Sequence, residues 1–157
     1  MRSKTLATIV SALGIGFSGC YALRNSEVDS NPEQTIETYS VKRFVDGDTV
    51  DINEGIEVLL FRIRLLGIDA PKRDIEATKA LEDLIANRPI ILKKDPSRDV
   101  GKYGRLLRYI FVNDINLNVE MVRLGYARVF MHKGLMYEQE LLEAERYAKE
   151  RRLGIWK

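Results

Sequence analysis

From Glu37 onward, apolar and polar residues follow each other in the short alternations that mark strands. Tyr39, Val41 and Phe44-Val45 are β-prone, Asp46-Gly47 is a turn, and residues 49–52 resume as a strand. Asn53-Glu54-Gly55 is a second turn. Residues 56–66 then read as a strong strand, with Arg62 and Arg64 inserted at period two. Tight turns make these three strands a meander. The period then lengthens. Residues 74–86 predict a helix with Ile75, Thr78, Leu81, Leu84 and Ile85 on one face. Residues 90–93 and 106–112 are strands, the second closed by Asn113-Asp114. Asn118 is placed to cap a short helix over 119–124, which Gly125 ends. Residues 127–130 are a short extended piece. Residues 137–152 predict a last helix with Tyr137, Leu141, Ala144 and Ala148 inward; Gly154 stops it and Trp156 docks on the core. About five strands and three helices, strands mostly first, predict a small α+β domain around a closed antiparallel barrel.

The first twenty residues follow a different pattern. Arg2 and Lys4 precede an apolar, small-residue run over 6–17, and Ser18-Gly19-Cys20 follows. This is the layout of a secretory signal peptide over residues 1–20. The run is short of the roughly 20 apolar residues a spanning helix needs. Cys20 after Ser-Gly resembles a bacterial-type lipobox, in which the cysteine is lipidated and becomes the new N-terminus. Phe17 departs from that pattern, which has an aliphatic residue there. An ordinary signal peptide and an uncleaved anchor are the alternatives. Residues 21–36 are polar and aperiodic and read as a flexible tether. The domain proper is 37–157. The expected location is exported, with the chain lipid-anchored at the cell membrane through Cys20 or else secreted.

Composition narrows the chemistry. Among 157 residues, 45% are apolar and 31% charged, as in a globular domain. The formal charge is +2, and Arg2 and Lys4 supply it, so residues 21–157 balance. Global charge therefore does not argue for nucleic acid, and only local clustering can. One cysteine, Cys20, excludes an internal disulfide and a cysteine-based zinc site. With one histidine, His132, a metal site must use oxygen ligands, which suits hard cations such as calcium or magnesium.

Four pieces could carry chemistry. Asp46-Gly47-Asp48-Thr49 exposes carboxylates in a turn. The stretch from Arg64 to Pro71 sets an arginine in a strand and Asp69 at its exit. Asp99 with Lys102-Tyr103-Gly104-Arg105 makes a polar loop ending in an arginine. Arg88, Lys93, Lys94, Arg98, Lys102, Arg105 and Arg108 form a basic stretch. Singly, each is most often a turn, a solvent-facing strand position or a solvated surface. Together they match phosphodiester cleavage, whose transition state spreads charge over phosphoryl oxygens. A divalent cation and bidentate arginines stabilise that charge.

The blocks DGDTV (46–50), FRIRLLGIDAP (61–71), GKYGRLLRYIF (101–111), VRLGYARV (122–129) and GIW (154–156) resemble the thermonuclease (staphylococcal nuclease) family over 37–157. The resemblance implies an OB-fold, a five-stranded antiparallel barrel with three helices. It implies an endonuclease that cleaves DNA and RNA with one calcium ion (Ca2+), acting as a monomer. It matches Asp48, Asp69 and the Ala70 backbone carbonyl to calcium ligands, and Asp46 to an acid behind them. Arg64 and Arg105 match the catalytic, phosphate-binding arginines, and Lys102 and Tyr103 match residues that hold a nucleotide's phosphate. Two positions depart. Lys72 stands where the family has the glutamate read as general base, and an ammonium has no lone pair to take a proton. Asp74 or Glu76 is the candidate substitute base. The family's base-stacking tyrosines have no match near Met131 and Lys133. Three readings follow: an active nuclease at the outer face of a membrane; a catalytically impaired OB-fold lipoprotein that binds nucleic acid or phosphate; and a lipoprotein domain that binds a protein.

Overall fold

The computed structural model describes residues 37–53, 60–130 and 133–157. The signal peptide, the tether, Cys20, the expected strand over 56–59, Met131 and His132 lie outside the described residues. No described helix is long and apolar enough to cross a membrane.

Strands β1 (Ser40–Asp46), β2 (Thr49–Asn53) and β3 (Leu60–Leu65) pair antiparallel in sequence order, as the alternation predicts. β4 (Ile68–Asp69) follows a tight turn at Leu66-Gly67, and α1 (Ile75–Ile85) comes next. Then come β5 (Ile91–Lys93), β6 (Leu106–Val112), β7 (Ile115–Asn116), α2 (Leu117–Arg123), β8 (Arg128–Val129) and α3 (Glu138–Glu150). A 3-10 turn spans Gly154–Trp156. The sheet runs β1-β2-β3-β6-β5 with β7 beside β6, and β4 pairs β8 separately. The class is α+β with three helices, as the family resemblance implies.

Two expectations about the sheet need correction. It is not wholly antiparallel, because β3 and β6 run parallel, with Ile63 opposite Leu106 and Arg64 opposite Leu107. A parallel pair needs a long crossover, and β4, α1 and β5 supply it. The barrel is also not closed by a ladder. Two 2.9 Å backbone bonds between Tyr39 and Ile90 join its edges at an isolated bridge.

The helices have specific causes. Asp74 caps α1, its Oδ1 accepting the Glu76 and Ala77 N–H groups. The buried face is Ala77, Leu81 and Ile85, at spacing four. Ile75 is instead 82% exposed, since it lies two residues, roughly 200° of helix, from Ala77. α2 is capped by Asn116 and not Asn118; the Asn116 carboxamide oxygen accepts the Asn118 N–H at 3.0 Å. Asn118 is fully buried. Its carboxamide accepts from Ile110 N–H and donates to the Leu66 and Arg108 carbonyls. The last helix starts at Glu138 and not Tyr137, whose ring instead meets Tyr109 edge-on at 4.6 Å. The chain leaves α3 at Arg151-Arg152, ahead of Gly154. Trp156 is only partly covered, and Lys149 Nζ lies 4.5 Å from its ring centre. The main core joins Val50, Ile52, Ile63 and Leu65 of the sheet to the inner faces of α1, α2 and α3.

Candidate functional site

Four strand ends meet at one edge of the sheet. The turn falls at Gly47-Asp48, one residue later than expected, because Asp46 still pairs with Thr49 as the last residue of β1; it sets Asp48 just ahead of β2. This turn must carry glycine, because a Cβ on Gly47 would lie 2.6 Å from the Ala77 Cβ of α1. Arg64 lies on β3 opposite Thr49. Asp69 closes β4. Arg105 precedes Leu106, which pairs with Ile63, so β3 and β6 bring both arginines to the same edge.

The centre is an arginine between two carboxylates. Arg64 Nη1 lies 2.5 Å from Asp48 Oδ2, and Arg64 Nη2 lies 3.1 Å from Asp69 Oδ1. Asp48 is 5% exposed. Its Oδ2 accepts the Ala70 N–H at 2.8 Å and its Oδ1 accepts the Thr49 hydroxyl at 2.9 Å. Burial pushes the Asp48 carboxyl above the usual carboxylate range, and the Arg64 charge and these two bonds oppose the rise. Burial likewise lowers the Arg64 pKa. The Asp48 charge opposes that, and the like charge of Arg105 adds to it. Arg64 and Arg105 therefore sense each other. Arg105 Nε is buried and makes no hydrogen bond among the described residues. An anion between the two guanidiniums would satisfy that donor and relieve the repulsion.

Among the described residues, no group of three or more His, Cys, Asp and Glu stands close enough to hold a metal ion. The candidate set is smaller: two carboxylates and the Ala70 carbonyl. Asp48 Oδ1 and both Asp69 oxygens each accept one bond from the protein, which leaves each a lone pair. An all-oxygen donor set of this kind fits a hard divalent cation.

The other predicted residues scatter around this centre. Asp46 turns its Oδ1 to the Gly47 N–H at 2.9 Å and adds negative charge near Asp48 and Arg64. Lys72 and Glu76 are exposed. Asp74 has Oδ1 engaged in the α1 cap. No hydrogen bond or ion pair among the described residues joins Lys72, Asp74 or Glu76 to the centre. Lys102 and Arg105 each approach the Tyr103 ring at 5.7 Å, and Tyr103 is 75% exposed. Asp99 is held by Lys94 and Arg108, both at 2.7 Å, so it braces its loop. The basic stretch disperses likewise: Arg88 bonds carbonyls at the end of α1, and Lys93 bonds the Tyr137 hydroxyl.

One site residue, Arg128, escaped the sequence reading, and Thr49 entered it only as part of the piece from Asp46 to Thr49, without a role. Arg128 on β8 holds Asp69 Oδ2 at 2.9 Å, and Thr49 orients Asp48. A cavity of about 270 Å³ opens beside Asp69, lined by Pro71, Arg128, Ile155 and Trp156.

The model of the family described as staphylococcal nuclease homologue matches residues 62–157. An uncharacterized protein of Methanocaldococcus jannaschii is 37% identical over 149 residues, covering 74% of this chain and 70% of its own length. A thermonuclease of Staphylococcus intermedius is 31% identical over 131 residues, 76% of each chain. A micrococcal nuclease of Shigella flexneri is 29% identical over 129 residues, 74% of this chain and 71% of its own. An arginine set between two aspartates on OB-fold strands, in a chain so matched over most of its domain, identifies it as a member of the staphylococcal nuclease family.

Proposed function

We propose that the chain is a calcium-dependent phosphodiesterase, an endonuclease hydrolysing DNA or RNA. Arg64 set between buried Asp48 and Asp69, with the unpartnered Arg105 Nε beside it, carries this reading. Asp48, Asp69 and the Ala70 carbonyl would hold the cation, which supplies Lewis-acid stabilisation of phosphoryl charge. Arg64 and Arg105 bind the phosphate from two sides, fix its orientation and neutralise charge gained at its oxygens. Thr49 and the Ala70 N–H keep Asp48 in position. Lys72 stands at the position of water activation, and its ammonium cannot accept the proton. Asp74 or Glu76 is the proposed substitute, and Asp74 would use Oδ2, since Oδ1 caps α1. The enzyme works as a monomer outside the cell, held at the membrane by a lipid on Cys20.

The competing reading is a nucleic-acid-binding domain without fast turnover, favoured by Lys72. The full chain, incubated with single- and double-stranded DNA and with RNA, with and without calcium, separates them. Digestion that needs calcium and is lost in Arg105→Ala supports the enzyme. Retention of nucleic acid without digestion supports the binding domain. The lipid anchor is read from acylation of Cys20, and a Cys20→Ser chain that still partitions with membranes would refute it.

A further inference from the structure

Arg43, Asp51 and Arg62 stand directly opposite one another on β1, β2 and β3. Their side chains therefore share one face of the sheet. Asp51 is 2% exposed and takes four guanidinium bonds. Arg62 gives Nε to Oδ1 at 2.8 Å and Nη2 to Oδ2 at 3.2 Å. Arg43 gives Nε and Nη2 to Oδ2 at 3.0 and 2.5 Å. One arginine would neutralise the carboxylate, so the second leaves a positive charge in surplus. Both guanidiniums are held by the same edge, which fixes their orientation and leaves each Nη1 facing away from Asp51.

This triad belongs to a cavity of about 330 Å³ whose lining also includes Tyr103 and Arg105. The surplus charge of Arg43 and Arg62 over Asp51 makes the cavity an anion site, and its wall reaches Arg105 of the first phosphate site. Along β3, Arg62 is two residues from Arg64, on the same face and roughly 6.6 Å away. That is close to the spacing of successive phosphates in an extended nucleic-acid strand. The exposed Tyr103 ring offers a stacking surface for a base.

We infer that the Arg43–Asp51–Arg62 cavity binds a second phosphate of a polynucleotide, one nucleotide along from the phosphate held by Arg64 and Arg105. The ligand class rests on the nuclease reading. The geometry adds that the protein grips a strand at two consecutive phosphates, so affinity rises with strand length beyond a dinucleotide. Preset guanidiniums lose little freedom on binding, which makes the second contact favourable.

The test uses the full chain in chelator, with fluorescein-labelled oligothymidylates of two and eight nucleotides, read by fluorescence anisotropy over a salt series. The variant replaces the triad together, Arg43→Gln, Asp51→Asn and Arg62→Gln, which leaves no buried charge without a partner. The eight-to-two affinity ratio falls about tenfold, and the salt slope for the longer strand drops by about 0.7, one phosphate contact in single-stranded DNA. Arg64→Ala weakens both lengths. If the triple variant does not fold, exposed Arg43→Gln alone lowers the ratio about threefold. An unchanged ratio and slope in a folded variant, or a wild type that binds neither strand, overturns the inference. Failure of the nuclease reading shows separately, as binding without cleavage once calcium is added.

Discussion

Ala70 donates its backbone N–H to Asp48 Oδ2 at 2.8 Å, tying the exit of β4 to the start of β2 across 22 residues. The donor is main chain, so no side chain at position 70 is needed to aim the Asp48 carboxylate. The strand ends themselves set the site.

Arg64→Ala removes the cation between Asp48 and Asp69. Loss of one partner of a buried pair costs about 3–5 kcal/mol, and loss of a charge-stabilising donor costs about 10²–10³-fold in rate. Burial already raises the Asp48 pKa, and without Arg64 the rise is larger. An acid with a raised folded pKa destabilises above that pKa and is relieved as pH falls through it. Thermal unfolding of the variant against wild type therefore shows a smaller deficit near pH 4 than at pH 7.

Asp95 behaves oppositely. It is 1% exposed and accepts from Ser97, Tyr109 and the Met136 N–H. These bonds overcome the upward push of burial and lower its pKa from 3.8 to about 2. Its contribution, about 2 kcal/mol, is complete above pH 3.8 and lost as pH falls toward 2. Asp95→Asn loses about that much at pH 7 and flattens the acid limb of the stability curve. A denaturant series at several pH values measures both.

Lys72→Glu restores a proton acceptor and raises the hydrolysis rate about 10²-fold if the base is missing. Asp74→Asn keeps an acceptor for the α1 cap and removes the charge. A rate unaffected by Lys72→Glu and abolished by Asp74→Asn would instead place the base at Asp74.

Arg128→Ala frees Asp69 Oδ2. Exposed pairs of this kind are worth about 0.2–1 kcal/mol, so on the proposed reading calcium affinity rises by a factor of about 1.4 to 5. Calorimetric titration of the two chains gives the ratio, and an unchanged or weaker affinity would remove Asp69 from the metal set.

Asn118→Leu leaves the Ile110 N–H and the Leu66 carbonyl without their buried partner. Each such group costs about 1–3 kcal/mol, so the midpoint of unfolding falls by at least the equivalent of about 2 kcal/mol.

Local features were legible in the sequence. The turn after Asp46, though one residue later than expected, the alternation around Arg64 and the apolar spacing of α1 each report contacts within a few residues. What escaped depends on distant partners. Asn116 and Asn118 are both polar residues near a helix start, and only the β6 carbonyl at Arg108 and the turn at Leu66 decide which is buried. Ile75 looked inward because an apolar count ignores the phase set by the buried stripe from Ala77 to Ile85. The parallel β3–β6 pair leaves no periodic trace, since its register depends on a crossover of about forty residues. Arg128 was hidden for the same reason: its partner Asp69 is 59 positions away.

That parallel pair also bears on how the molecule assembles. Arg64 lies on β3 and Arg105 at the start of β6, so neither arginine has the other as a neighbour until the longest connection in the sheet has closed. Contacts of such high sequence separation form slowly, because chain entropy is lost before they reward it. On the proposed reading, a collapsed chain holding only the β1–β2–β3 meander would have half a phosphate clamp and no activity. Recovery of hydrolysis after dilution from denaturant thus times the docking of β6 on β3, whereas far-ultraviolet dichroism reports the earlier local elements.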